Sequence, residues 1–250
     1  MTGYETLLSK KKGDKIKISG HRSDVYYATD SDDLYIFYPD GSVRLGHYVY
    51  ASESDPHITL VTDDAEFDIN SDITIKGAYN LLKGDSGTDT FNLTESKDLI
   101  VPNGGDDTIN SAGDTYVAGD KIKLNCNKAD ITYSQDSEDL VLTYGNNMSV
   151  RLSSYLGSGG YLPETILTND YEFNISSDLT SKGYVIEDSK LYKVVNGTSQ
   201  GESFTPTEQK EIFVSSLKQI DLSPPKNFRL LKLLKHNYVY QNIECNPNQI

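Results

Sequence analysis

Apolar and polar residues alternate at a period of two along much of the chain. Lys15-Ile16-Lys17-Ile18 interleaves charge with aliphatic side chains, and Asp33-Leu34-Tyr35-Ile36-Phe37-Tyr38 is a run of residues that favour extended backbone. Both patterns predict short strands. Pro39-Asp40-Gly41 then supplies a tight turn before Ser42-Val43-Arg44-Leu45, which predicts a hairpin. The pattern returns downstream. Gly13–Tyr38 aligns without a gap on Gly119–Tyr144, with 12 of 26 positions identical. SVRLGHYV at 42–49 is answered by SVRLSSYL at 149–156, and EFDINSDITIKG at 66–77 by EFNISSDLTSKG at 172–183, an offset of 106 at both ends. The second copy replaces the turn with Gly145-Asn146-Asn147, which also tolerates positive φ. The chain divides into a first β-rich copy (1–74), a joining segment (75–118), a second copy (119–183) and a C-terminal segment (184–250).

The joining segment repeats every nine residues. Cut from Ile75 it reads IKGAYNLLK, GDSGTDTFN, LTESKDLIV, PNGGDDTIN and SAGDTYVAG. Position six is Asn80, Asp89, Asp98, Asp107 and Tyr116, and position eight is Leu82, Phe91, Ile100, Ile109 and Ala118. Position four is glycine in the second and fourth units, Gly87 and Gly105. This resembles the RTX, or haemolysin-type, nonapeptide GGxGxDxUx, in which U is a large apolar residue. The flanking copies are similar to the β segments that accompany such repeats. The resemblance covers residues 13–183.

It implies a mainly β fold, a parallel β-roll or β-solenoid flanked by the duplicated segments. In such a roll six residues turn the chain and three form a strand, so loops two units apart stack about 4.7–4.9 Å from one another. Loops 84–89 and 102–107 then share an edge and line a groove of oxygen atoms suited to Ca²⁺, which takes about 6–8 oxygen ligands. Asp89 and Asp107 are the expected carboxylate ligands, with oxygens around Gly84, Ser86, Gly104 and Asp106 contributing. The opposite edge, with Asn80, Asp98 and Tyr116, is expected to suit a cation poorly. The family resemblance further implies a non-catalytic module of a secreted bacterial toxin or exoprotein, exported unfolded and assembled outside the cell where calcium is available.

Charge fits this picture. The net charge is −14, and residues 84–120 carry eight acids against one base, half of that total. A nucleic-acid partner is not expected, since phosphate recognition needs a basic stripe. The two cysteines, Cys126 and Cys245, leave a disulfide open. Residues 1–12 lack the apolar core of a cleavable signal peptide, and no run approaches the roughly 20 apolar residues of a membrane span.

After Gly183 the periodicity changes. Thr205-Pro206-Thr207-Glu208 reads as a capping box. Ile212, Phe213, Leu217 and Ile220 then share one helical face, predicting a helix that caps the solenoid. The basic stretch 226–240, with Lys226, Arg229, Lys232 and Lys235, offers membrane contact as the less favoured alternative to packing. Gly84-Asp85-Ser86-Gly87 resembles the surroundings of a serine-protease nucleophile, but the four histidines have no matching context and Ser86 falls in phase with the nonapeptides. The chain is read as no enzyme, with a serine hydrolase as the weakest alternative. A receptor- or glycan-binding adhesive module, using exposed tyrosines, is the second reading.

Overall fold

The computed structural model describes residues 5–7, 13–48, 57–110, 117–157, 162–196, 211–215, 229–234 and 237–239. The fold is mainly β, built of several sheets, with two short α-helices among the described residues. The first copy supplies strands β1 (Glu5–Leu7), β2 (Lys15–Lys17), β3 (Tyr26–Thr29), β4 (Leu34–Tyr38), β5 (Gly41–Leu45), β6 (Thr59–Val61) and β7 (Glu66–Asp68), then helix α1 (Ile69–Lys76). The joining segment supplies β8 (Tyr79–Lys83), β9 (Thr90–Asn92), β10 (Asp98–Val101) and β11 (Asp106–Asn110). The second copy repeats the pattern with β12 (Lys121–Lys123), β13 (Thr132–Asp136), β14 (Asp139–Tyr144), β15 (Met148–Leu152), β16 (Thr165–Leu167), β17 (Glu172–Asn174) and helix α2 (Ile175–Ser181). Strands β18 (Tyr184–Glu187), β19 (Lys190–Asn196), β20 (Glu211–Ser215), β21 (Arg229–Leu234) and β22 (Asn237–Val239) form a separate sheet.

Equivalent residues do equivalent work in the two copies. Leu34, Ile36, Val43 and Leu45 face one core, and Leu140, Leu142, Val150 and Leu152 face another. The β4–β5 turn has two residues, whereas three residues separate Tyr144 from its partner Met148. Gly145 and Asn147 meet the longer turn at positive φ. Neither helix follows from the generally strand-like pattern of the two copies. Their start signal is Asp68, whose carboxylate accepts the Ser71 N–H at 2.9 Å, and Asn174, which accepts the Ser177 N–H at 3.2 Å. Each helix then buries one aspartate. Asp72 accepts the Tyr27 hydroxyl at 2.8 Å and pairs with Arg22, while Asp178 accepts the Tyr133 hydroxyl at 2.7 Å and pairs with Lys128. A lysine one turn later, Lys76 or Lys182, reaches the same carboxylate and a carbonyl of the adjoining loop, that of Val25 or Ile131.

The joining segment alternates between two sheets. β8 and β10 pair in parallel, with Asn80 opposite Asp98 and Leu82 opposite Ile100, 18 residues apart. β9 and β11 pair in parallel in the other sheet at the same spacing, with Phe91 opposite Ile109. β12 continues the first ladder, but Ile100 now faces Ile122, 22 residues on. Ile100, Ile109 and Ile122 meet in the core between the two sheets. The copies enter these ladders differently. The β3–β4–β5 hairpin extends the sheet of β8, β10 and β12, and the β13–β14–β15 hairpin extends the sheet of β9 and β11.

The C-terminal helix expected around 205–220 is corrected in part. Residues 211–215 are strand β20, parallel to β19, with Val194 opposite Ile212 and Val195 opposite Phe213. The run Ile-Phe-Val favours extended backbone, and a neighbouring strand with free hydrogen-bonding groups decides the matter. The capping box at 205–208 and Leu217 and Ile220 lie outside the described residues. Within 226–240, residues 229–234 form β21 and 237–239 form β22, and the remainder lies outside the described residues. Cys126 is a buried free thiol, and Cys245 lies outside the described residues. Among the described residues no helix is long and apolar enough to cross a membrane.

Candidate metal centre

Loops 84–89 and 102–107 lie against one another. The Asn103 side-chain amide donates to the Gly84 carbonyl at 2.8 Å, and the Thr108 N–H donates to the Asp89 carbonyl at 2.9 Å. Two glycines permit the approach. A Cβ on Gly84 would stand 2.6 Å from the Pro102 carbonyl oxygen, and one on Gly105 would run into the Gly87 carbonyl. Asn103, Gly104 and Gly105 all hold positive φ, a left-handed bend that suits asparagine and glycine.

The expected carboxylates are linked, though not face to face. Asp89 folds back onto its own loop and accepts the Asp85 N–H at 2.8 Å. Its own N–H donates to Asp107 Oδ1 at 2.9 Å, so Asp107 reaches across to the loop that leads into β9. Asp107 is about 1% exposed, and its second oxygen, Oδ2, has no hydrogen-bond partner. An unmatched buried carboxylate oxygen is costly. Burial, with the charges of Asp89, Asp106 and Asp85 added, pushes its carboxyl up to about 6 despite the Asp89 N–H. Burial, with the nearby charge of Asp107 added, raises the Tyr144 phenol, whose hydroxyl is also buried without a partner. Among the other expected ligands, Ser86 and Asp106 have exposed side chains, and Asp106 Oδ1 accepts the Ser149 hydroxyl at 2.8 Å. Gly104 is buried beside Ser86.

The opposite edge repeats the device. Asp98 caps its own loop by accepting the Thr94 N–H at 2.6 Å, and the Asp98 N–H donates to Asp120 Oδ1 at 2.8 Å. Asp120 is about 2% exposed and its Oδ2 is unpartnered. Burial, with the Asp98 charge added, pushes its carboxyl up to about 6 against the Asp98 N–H. The register expected at this edge, with Tyr116 after Asp98, is corrected. It counted nine residues from Asp107 to Tyr116, but the ladder expands by four and sets Asp120 in register, while Tyr116 lies outside the described residues. The Gly119-Asp120 start of the second copy was the available signal. Asn80 donates to Asp98 Oδ1 at 2.7 Å and so satisfies that carboxylate without a cation.

A third acidic group, Asp32, Asp33 and His47, reads differently. Asp33 accepts the His47 N–H at 2.8 Å and pairs with Arg44. Its counterpart Asp139 accepts the Ser154 N–H at 2.7 Å and pairs with Arg151, with no histidine involved. This arrangement locks a hairpin in both copies. The histidines His21, His47 and His57 each sit beside an aspartate of the first copy, respectively Asp64, Asp32 and Asp68, and Ser86 has an exposed side chain on the loop edge. No protein-family model matches the chain, and no curated protein matches it either.

Proposed function

We propose that the chain is a calcium-binding β-roll module of the RTX-like kind, a non-catalytic part of a secreted bacterial toxin or exoprotein that completes its folding outside the cell. The observation that carries this reading is the buried, unpartnered Oδ2 of Asp107 at the contact of two glycine-bearing loops. A hard divalent cation is the species that such an oxygen lacks. Asp107 and Asp89, with oxygens around Gly84, Ser86, Gly104 and Asp106, would hold it, and on the other edge the unpartnered Oδ2 of Asp120 would offer a second ion one carboxylate ligand. The two ladders with their 18-residue spacing support the roll.

Calcium neutralises charge that otherwise opposes compaction, since residues 84–120 carry a net −7. With free calcium at tenfold the dissociation constant, one site adds roughly 1.4 kcal/mol to stability. A chain that meets millimolar calcium only outside the cell would gain this after export.

Isothermal titration of calcium into metal-stripped protein tests the reading. Binding is expected in the wild type, with one step lost in Asp107→Asn and a different one in Asp120→Asn. A wild-type chain that takes up no calcium at millimolar concentration removes the proposal.

A further inference from the structure

The two copies meet at a cleft that neither forms alone. On the nine-stranded sheet that carries strands of both copies, Tyr35 and Phe37 of the first copy belong to one apolar cluster with Leu99 and Val101 of the joining segment and Leu167 of the second. Two adjoining chambers of about 250 and 540 Å³ open along this face and share Phe37, Pro39, Lys123 and Asn169. One end is aromatic, with Tyr26, Phe37, Tyr38 and Tyr171, the last about 62% exposed. The other end is rich in amides, with Asn103, Asn125, Asn146 and Asn169. Ring faces beside side-chain amides suit the two sides of a pyranose, its C–H face and its hydroxyl rim.

The charged groups of the lining single out one residue. Asp170 accepts the Lys128 N–H at 2.8 Å, Glu172 pairs with Lys121 at 2.6 Å, Asp40 accepts the Ser19 hydroxyl at 2.6 Å and Asp24 accepts the His21 N–H at 3.1 Å. Lys123 has no such match. Among the described residues it makes no ion pair, and its Nζ reaches only the neutral Asn169 Oδ1 at 3.4 Å. Burial lowers its pKa, as expected for a desolvated ammonium. Duplication supplies the comparison, because the same position in the first copy is Lys17, which is exposed. Asn169 and Tyr171 likewise replace Asp63 and Ala65 of the first copy. The lining has changed where the copies face each other, by removing an acid and adding a ring.

We propose that this cleft binds a saccharide bearing a carboxylate, with Lys123 taking the carboxylate, the asparagines the hydroxyls, and Tyr171 a face of the sugar ring. The cleft adjoins loop 102–107 at Asn103, whose side-chain amide is engaged with the Gly84 carbonyl, so the hydroxyls fall to Asn125, Asn146 and Asn169. An array of sialate-terminated and uronate-containing glycans beside their neutral counterparts, followed by titration calorimetry of the best binder, tests it on the full chain. Acidic glycans of either type are expected to bind and their neutral counterparts to bind at least about tenfold more weakly, the scale of one charge-assisted contact. Lys123→Gln should abolish that preference, while Lys17→Gln leaves the affinity within about twofold, since an exposed lysine remote from the ligand contributes little. Tyr171→Ala, at an exposed ring whose loss leaves the fold intact, should weaken acidic and neutral glycans alike. Equal binding of acidic and neutral glycans, equal losses in Lys123→Gln and Lys17→Gln, or no glycan bound at millimolar concentration overturns the proposal.

Discussion

Four aspartates at the loop edges fall into two kinds. Asp89 and Asp98 close their own loops through the N–H four residues earlier, whereas Asp107 and Asp120 accept an N–H from the preceding circuit and keep an oxygen unmatched. That difference has a pH signature. Both carboxyls of the second kind are raised to about 6 in the folded chain, from about 3.9 when unfolded. Between these values the folded state holds protons that the unfolded state has shed, so metal-free stability falls as pH rises through the window and levels off above it. Urea denaturation in chelator is expected to show a higher midpoint at pH 5 than at pH 7, and Asp107→Asn/Asp120→Asn should flatten the trend. On the proposed reading, calcium competes with the same protons. Its affinity at pH 5 should be about tenfold lower per site than at pH 7, with protons released on binding. An affinity that does not change over that range would show that these carboxylates are not ligands.

At the scale of elements, the strands were legible and the helices and the last sheet were not. Lys15-Ile16-Lys17 and Leu34–Tyr38 carry their period openly, and the duplicated core positions confirm one another. The helix after Asp68 hid behind Glu66-Phe67-Asp68, which does form a strand before the cap turns the chain. At 211–215 the helical spacing of Ile212 and Phe213 competed with a partner strand that no local pattern reveals. Of the candidate metal centre, Asp89 and Asp107 were legible from a period of nine, and Asp120 was not, because four extra residues break the count. The loops rely on glycine unequally. Gly77 and Gly105 both hold positive φ, but a Cβ on Gly77 meets open space while one on Gly105 meets the Gly87 carbonyl. Gly77→Ala is expected to cost about 1–3 kcal/mol of backbone strain, since φ 81° with ψ 167° is a region essentially confined to glycine. Gly105→Ala should cost at least about 2 kcal/mol, because overpacking is added to that strain, and it should weaken calcium binding as well. Chemical denaturation with and without calcium distinguishes the two.

At the scale of the whole molecule, each sheet is a composite of segments distant in sequence. β8, β10 and β12 of one ladder are interleaved along the chain with β9 and β11 of the other, so a deletion keeps later strands in their sheets only if it removes one strand of each ladder. Deleting residues 84–101 removes one circuit and brings β8 beneath β12 in the place of β10. That chain should retain a cooperative unfolding transition, with a lower midpoint from the lost Phe91, Leu99 and Ile100, each contributing roughly 1.5–3 kcal/mol when fully buried. Deleting residues 84–92 alone sends every later strand to the wrong sheet, and such a chain should show no cooperative melt by circular dichroism. Equal behaviour of the two deletions would contradict the alternation. The duplication itself sets a further problem for the nascent polypeptide. Two hairpins of kindred sequence must reach different destinations, the first beside β8 and the second beside β11. Each is therefore a decoy for the other, and an early mistake would trap the molecule until the wrong hairpin lets go.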